Sequence, residues 1–218
     1  MNALPVKYTP PKNNPLVRRS RRRHDGFSGA QSGFLQPLLQ TIIQIKNAEG
    51  GRGVFAFTSP ASGDGVSHVL QIVAQELAAE NRCRVLTSSS SMLEGATDDD
   101  LQRALRGCIE RAPSVWSLVD DDHIEYMPDA LLDRLWVDVA PRDFDFILID
   151  CPPLNEVGDA LRLGHETDGV FLVVSAGETR RDQIEHAQKL LKHSSARLQG
   201  LVLNRRTYPV PNFLYKHL

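Results

Sequence analysis

Residues 58–68, which read Thr-Ser-Pro-Ala-Ser-Gly-Asp-Gly-Val-Ser-His, place glycines, a hydroxyl and a helix start in the order of a phosphate-binding loop. In such a loop, backbone amides surround the phosphates, a lysine binds the outer phosphates, and the next hydroxyl ligates Mg²⁺. Val66 stands at the lysine position and Ser67 supplies the hydroxyl, while no lysine occurs between Lys46 and Lys189. The sequence therefore predicts a phosphate cradle without its cation. The alternative is an ordinary strand-to-helix turn in which glycines only relieve backbone strain.

The elements that must position this loop alternate along the chain. Continuous apolar runs predict strands at 54–58, 83–87, 144–149, 169–174 and 198–203. Helical spacing of apolar residues, or an acidic or proline start, predicts helices at 33–46, 66–80, 98–111, 128–139 and 179–193. Alternating helices and continuously apolar strands indicate a parallel sheet that is covered on both faces. The sequence therefore predicts an α/β protein with a three-layer α/β/α fold and a mostly parallel sheet.

The amino-acid composition favours a soluble globular protein. The 218 residues are 41% hydrophobic and 24% charged, which is enough apolar content for one core. Cys83, Cys108 and Cys151 lack the spacing of a metal or redox site, so they fit a reducing cytoplasm. The chain has no apolar run of the roughly 18 residues that a membrane span needs, and no apolar core of a signal peptide. We therefore expect a soluble protein.

Positive charge is concentrated at the start of the chain. Residues 1–25 contain seven basic residues and one acidic residue. With a charge of about +6 and few apolar residues, 1–32 is predicted to be a disordered basic tail. A domain at 33–206 and a C-terminal tail at 207–218 follow. The basic tail could be a solvated arm, could bind an anionic membrane surface at about 1 kcal/mol per basic residue, or could attract nucleic acid by counterion release.

Several segments in order carry a family resemblance. The strand, Ser-Pro, glycine loop and helix are followed by Phe-Asp-Phe-Ile-Leu-Ile-Asp-Cys-Pro-Pro at 144–153 and by Leu-Val-Leu-Asn-Arg at 201–205. Over about residues 33–206 the chain resembles the bacterial tyrosine kinases of capsule and exopolysaccharide assembly. These kinases belong to the deviant P-loop ATPases, which include septum-site and chromosome-partition proteins. The resemblance implies a P-loop NTPase-like fold, ATP or ADP with Mg²⁺, and the cytoplasmic part of a membrane polysaccharide co-polymerase, or chain-length protein, as partner.

The resemblance also implies a set of nucleotide-binding positions. The family loop Ser-Pro-x-Pro-Gly-Glu-Gly-Lys-Ser aligns with residues 59–67, and a late family asparagine that contacts adenine aligns with Asn204, followed by a basic residue. The implied cofactor-binding residues are Gly63, Asp64, Gly65, Val66, Ser67, His68, Asn204 and Arg205. Val66 departs from the family lysine, and His68 replaces a small hydroxyl residue, so we expect His68 to pack or to face solvent.

Two further family motifs concern the metal. The family's Asp-x-Asp after the second strand aligns with 87–91, a threonine and four serines, and neutral hydroxyls bind Mg²⁺ far more weakly than carboxylates. Asp150 aligns with the aspartate of the family's Asp-Thr-Pro-Pro, which implies a weak metal site made of Ser67 and Asp150. Asp150 could instead cap a turn beside Pro152. Cys151, which replaces the threonine, is expected to be a buried apolar residue and not a nucleophile.

Features of family assembly and autophosphorylation are missing. The Glu-x-x-Arg-x-x-Arg helix that builds the kinase ring falls on Phe34, Pro37 and Gln40. The tyrosine cluster is reduced to Tyr208 and Tyr215, which are too far apart in sequence to form a cluster. Neither ring assembly nor autophosphorylation by the family route is therefore expected.

Together these departures predict a degenerate tyrosine-kinase-like ATPase with little or no catalysis. It would act as a cytoplasmic accessory or regulatory protein of exopolysaccharide or capsule biosynthesis and export, peripheral at the membrane through its basic tail. One alternative is an active ATP-dependent protein-tyrosine kinase or ATPase, in which Asp150 is catalytic and a partner supplies an arginine. Another is a partition-type protein that positions itself on DNA or a membrane.

Overall fold

The structure is a computed structural model that describes residues 35–48, 53–81, 83–90, 108–117 and 144–205. The predicted basic tail, the predicted C-terminal tail and the predicted helix at 128–139 lie outside these residues. So do Phe34, Tyr208, Tyr215 and all but the last residues of the predicted helix at 98–111.

Within the described residues, helices and strands alternate along the second half of the chain and in the region of the glycine loop. The elements are α1 (Gln36–Asn47), β1 (Val54–Thr58), α2 (Val66–Asn81), β2 (Val85–Ser89), β3 (Ile109–Ala112), β4 (Val115–Ser117), β5 (Phe146–Asp150), α3 (Asp159–Leu163), β6 (Gly169–Ser175), α4 (Arg181–His193) and β7 (Leu198–Asn204). The hydrogen-bonded strand order is β3-β4-β2-β5-β1-β6-β7.

The sheet is mostly parallel. Strand β6 runs parallel to β1 and β7, and β2 runs parallel to β4, whereas β3 is antiparallel to β4. Strand β5 runs parallel to β1. The Ile147 amide donates to the Gly53 carbonyl, and the Cys151 amide, four residues later, donates to the Phe57 carbonyl, also four residues later. Every residue of β1 and β6 is buried. These continuous apolar strands confirm the predicted α/β class with a mostly parallel sheet.

The chain divides into two compact units. The first takes residues up to 53 and 73–147. In it, α1 buries Leu39 and Ile42, and the Lys46 ammonium lies 4.4 Å from the centroid of the Phe146 ring and 3.8 Å from a carboxylate oxygen of Asp145. A cation held by both a π face and a carboxylate fixes the end of α1.

The second unit takes residues 54–72 and those from 148 onward. Its core contains three aromatic rings, with the Phe171 centroid 5.3 Å from that of Phe57 and 5.9 Å from that of Phe55. Helix α4 contacts β7, and α3 contacts β1 and α4. All the predicted site residues lie in this unit.

Two local predictions are wrong. Residues 109–111 of the predicted helix lie in β3, and the turn to β4 is closed by Ser114, which has φ 61° and donates its amide to the Glu110 carboxylate at 3.1 Å. The predicted strand at 83–87 is shifted to 85–89, so Ser88 and Ser89 are part of β2. Small hydroxyl side chains fit a strand when they find partners, as Thr87 does by donating to the Trp116 carbonyl at 3.1 Å.

Among the described residues, none of the helices combines the length and apolar content that crossing a bilayer requires.

Candidate functional site

The glycine loop joins the end of β1 to the start of α2. Gly63 and Gly65 have φ angles of 88° and 84°, in the left-handed region that glycine adopts without strain. Nothing lies within 4 Å of a Cβ built on Gly63, so that glycine is required by its backbone angle and not by crowding. The first amides of the 16-residue helix α2 follow directly. A turn of this shape at the start of a helix is suited to bind an anion.

Val66 is buried at the first position of α2. Its side chain is 8% exposed and belongs to the core with Val69 and Leu70. The side chains that follow it, Ser67 and His68, are exposed. The position that would carry a phosphate-binding lysine therefore contributes apolar packing and no charge, and His68 faces solvent.

The two predicted metal-binding residues are brought together. The Ser67 side chain hydrogen-bonds to Asp150 at the carboxyl end of β5. Burial raises the pKa of Asp150 above its ordinary value of 3.8, and the hydrogen bond from Ser67 lowers it in part. A hydroxyl and a carboxylate are ligands that Mg²⁺ accepts, usually with waters and phosphate oxygens. The described residues contain no group of three or more His, Cys, Asp and Glu that could hold a metal by themselves.

Asp64 anchors the glycine loop to the rest of the protein. Its carboxylate is buried, and one oxygen, Oδ1, accepts a hydrogen bond from the Thr179 hydroxyl at 2.6 Å and from the Ser175 amide at 3.3 Å. The other oxygen, Oδ2, is buried without a hydrogen-bond partner. Asp64, which was predicted to bind nucleotide, therefore connects the loop to the end of β6 and the segment after it. Ser175 and Thr179 were not predicted from the sequence, although Ser175 ends an apolar strand, as Asp150 does.

Asn204 and Arg205 also contact the protein itself. The Asn204 amide nitrogen donates to the Asp64 carbonyl at 2.8 Å, and its oxygen accepts from the Arg205 backbone amide at 2.8 Å. The Arg205 guanidinium pairs with Glu178 at 3.0 Å, and Glu178 also accepts from the Ser175 hydroxyl at 3.0 Å. Both ends of the Asn204 amide and the charge of Arg205 are thus engaged within the chain.

The segment after β5 closes the other side of the loop. The Thr58 hydroxyl donates to the Pro152 carbonyl at 2.7 Å, and the Leu154 amide donates to the Ser59 carbonyl at 2.9 Å. Ser62, at the family's second proline, hydrogen-bonds to the Glu156 carboxylate. Glu156 was not predicted from the sequence, although it lies six residues after Asp150 in the same proline-containing segment.

Carboxylates lie against the glycine loop. Three carboxylates contact the loop or the start of α2: Asp64 within the loop, Glu156 through Ser62, and Asp150 through Ser67. A polyphosphate placed on the cradle would be repelled by these groups unless a cation compensated them. The described residues of the site therefore provide a phosphate cradle and part of a Mg²⁺ site, but they supply no fixed positive charge to the loop. Cys151 is buried beside Asp150, as predicted.

The glycine loop after the first strand, the aspartate at the end of β5 and the mostly parallel sheet define a P-loop NTPase-like fold. No family model matches the chain. The tyrosine-protein kinase CpsD of Streptococcus agalactiae serotype Ia is 26% identical over 195 residues, which cover 80% of this chain and 83% of that protein. The chain is thus similar to bacterial tyrosine-protein kinases along most of its length, which confirms the resemblance.

Solved structures agree on the fold. The chimerical protein CapA2B2 has a TM-score of 0.64 at 20% identity and covers 85% of this chain and 89% of its own. The kinase domain of the Escherichia coli tyrosine kinase ETK has a TM-score of 0.58 at 15% identity, covering 79% and 76%. The MinC:MinD cell division complex of Aquifex aeolicus has a TM-score of 0.57 at 19% identity, covering 71% and 69%. A tyrosine-kinase domain and a cell division protein thus share this fold.

Proposed function

We propose that this protein is a cytoplasmic accessory or regulatory protein of exopolysaccharide or capsule biosynthesis and export, with a nucleotide-binding fold that has little or no catalysis. The observation that carries the proposal is the buried Val66 at the position of the phosphate-binding lysine. Phosphoryl transfer depends on fixed positive charge around the transferred group, and catalysis consists almost entirely of positioning and charge stabilisation. A valine in the core supplies neither.

The surrounding charges support the same conclusion. Arg205 already pairs with Glu178, and the carboxylates of Asp64 and Glu156 contact the loop from within the chain. Because Arg205 is already engaged, positive charge for catalysis would have to come from elsewhere, such as a metal ion, another protein or a residue outside the described part of the chain. Without it, a triphosphate at the loop is destabilised by like charge.

Residual nucleotide binding is part of the proposal. ATP or ADP would be held weakly by the backbone amides of residues 63–67 at the start of α2. Mg²⁺, when bound with the nucleotide, would neutralise phosphate charge and lie against Ser67 and Asp150. Asn204 and Arg205 would need to exchange their present partners before they contacted a base.

The proposed partner is the cytoplasmic part of a membrane polysaccharide co-polymerase. The relationship to the tyrosine-protein kinase CpsD supports this choice. The seven basic residues at 1–25 would add attraction to an anionic membrane surface. Nucleic acid would attract the same charges, but the family relationship favours the membrane.

A second candidate function is an active ATPase or protein-tyrosine kinase. The hydrogen bond between Ser67 and Asp150 favours it, because it keeps a hydroxyl and a carboxylate together where a Mg²⁺ site would need them. In that case Asp150 would be the catalytic residue and a partner would supply the missing positive charge, as arginine fingers do in other phosphoryl-transfer proteins.

Titration calorimetry with ATP, in the presence and absence of Mg²⁺, tests the proposal. We expect no binding, or weak binding that changes little when Ser67→Ala removes the hydroxyl. Micromolar, Mg²⁺-dependent binding that is coupled to phosphate release and lost in Ser67→Ala would reject the accessory function in favour of the active enzyme. Retention on DNA that exceeds binding to anionic vesicles would instead favour the partition-type alternative.

A further inference from the structure

The outer face of β7 is apolar and uncovered in the described structure. Leu201 and Leu203 are 48% and 44% exposed, and the described residues contain only one other exposed large apolar side chain, Val157. Val202 between them is buried, and α4 contacts β7. Because neighbouring strand residues point to opposite faces, α4 covers the Val202 face and leaves the two leucines on the other. We define Leu201 and Leu203 as the β7 apolar surface.

Such a surface is unusual for this architecture. Strands of parallel sheets are normally covered on both faces, and β6, which is next to β7, is buried along its whole length. Strand β7 is also at the end of the strand order. A segment that packs over the β7 apolar surface would therefore bury this face of β7, as both faces of β6 are already buried.

The chain that follows β7 has the length and composition to do this. Residues 206–218 are thirteen residues, which can extend about 40 Å, whereas the seven residues of β7 span about 23 Å. The apolar side chains of this segment are Tyr208, Val210, Phe213, Leu214, Tyr215 and Leu218. The segment is thus long enough and apolar enough to return along the strand.

The chain also changes direction where the segment begins. Arg205 has φ 54°, a left-handed angle that is rare outside glycine and typical of turns. Its backbone amide donates to Asn204 at 2.8 Å, and its guanidinium pairs with Glu178 at 3.0 Å. These contacts hold the turn at the end of β7, two residues after Leu203. The segment therefore starts next to the surface.

The geometry points to residues 206–218 of the same chain as the cover of the β7 apolar surface, and we propose this intramolecular docking. The contact is made by side chains and not by an added strand, because Pro209 and Pro211 lack the amide hydrogens that pairing at the edge requires. The proposal is independent of whether the glycine loop binds nucleotide. Its consequence is that Tyr208 and Tyr215 are held by the body of the protein.

Amide hydrogen exchange of the full chain, followed by mass spectrometry, tests the docking. We expect the amides of 206–218 to be protected, and the double variant Leu201→Ser/Leu203→Ser to speed their exchange at least about tenfold. The reciprocal variant Phe213→Ser/Leu214→Ser changes only the segment and should give the same increase. Val157→Ser, with a matched exposure of 44%, should leave the segment protected.

Three results would overturn the proposal. The first is exchange of 206–218 at the rate of an unfolded peptide in the unaltered protein. The second is protection that both double variants leave unchanged while the exchange of β6 shows that they are folded. The third is protection that is lost on dilution, since contact with a second copy depends on concentration and intramolecular docking does not.

Discussion

At the scale of single residues, the chemistry of the loop depends on Val66. The glycines, Ser67 and Asp150 reproduce the cradle and part of a metal site, but Val66 is packed in the core and adds no charge. Because a phosphate-binding lysine makes charge-assisted hydrogen bonds, its loss removes one of the stronger contacts available to a phosphate.

Val66→Lys should therefore increase the affinity for Mg-ATP by at least about tenfold, because a hydrogen bond to a charged group contributes roughly 1.5–3 kcal/mol. Titration calorimetry measures the change. Val66→Met, which is long, apolar and uncharged, is the control and should bind like the unaltered protein. Equal affinities of the lysine and methionine variants would show that the missing charge does not limit binding. Circular dichroism should confirm that both variants are folded.

Asp150 should make stability depend on pH. Burial raises its pKa above 3.8, so the folded protein binds this proton more tightly than the unfolded chain, and the free energy of unfolding falls as pH rises from 3.8 to the folded pKa. Asp150→Asn removes the titration, so the variant should be more stable than the unaltered protein at neutral pH, with a difference that shrinks towards pH 3.8.

Urea denaturation across this pH range measures the Asp150 contribution. Asp182→Asn, which alters an exposed carboxylate on α4, is the control. A stability difference between Asp150→Asn and the unaltered protein that is constant with pH would contradict the assignment.

At the scale of elements, the loop is held by the ends of neighbouring strands. The Asp64 carboxylate accepts hydrogen bonds from Ser175, the last residue of β6, and from Thr179, which follows β6. The Asp64 carbonyl accepts one from Asn204 at the end of β7. The glycine loop thus keeps its shape through contacts within the protein.

Thr179→Val should lower the free energy of unfolding by roughly 1.5–3 kcal/mol, because it removes a hydroxyl donor from a buried carboxylate. Urea denaturation measures the change, and Thr179→Ser, which keeps the hydroxyl, should lose much less. If valine and serine have the same effect, the hydrogen bond to Asp64 does not stabilise the loop.

An element can be predicted from the sequence when its own residues determine its structure, and not when a distant part of the chain does. The apolar runs of β1 and β6 and the glycines of the loop are visible in sequence because burial and backbone angle select the residues themselves. Residues 109–112 form a strand because Ile109, Glu110 and Ala112 pair with β4, a contact that helical spacing cannot reveal. The partners of Asp64 and the contact between Ser62 and Glu156 are likewise tertiary, since residues between 94 and 140 positions apart meet there.

At the scale of the whole molecule, the basic residues of 1–25 should determine where the protein resides. Each basic residue near anionic headgroups contributes about 1 kcal/mol, and salt screens this attraction. The triple variant Arg21→Glu/Arg22→Glu/Arg23→Glu should therefore lose most binding to vesicles that contain phosphatidylglycerol.

Vesicle flotation at two salt concentrations measures the effect of the basic residues. Vesicles of phosphatidylcholine alone are the control and should bind neither protein. Binding of the triple variant that equals that of the unaltered protein would show that the basic segment does not direct membrane attachment.

We propose that the protein has the fold of a P-loop NTPase but does not hydrolyse nucleotide by itself. The most direct measurement is phosphate release from Mg-ATP by the purified full chain, compared with Ser67→Ala and Asp150→Asn. We predict that the unaltered protein releases phosphate no faster than either variant. Sustained turnover that falls at least about tenfold in both variants, a loss of about 1.4 kcal/mol of transition-state stabilisation, would contradict the account.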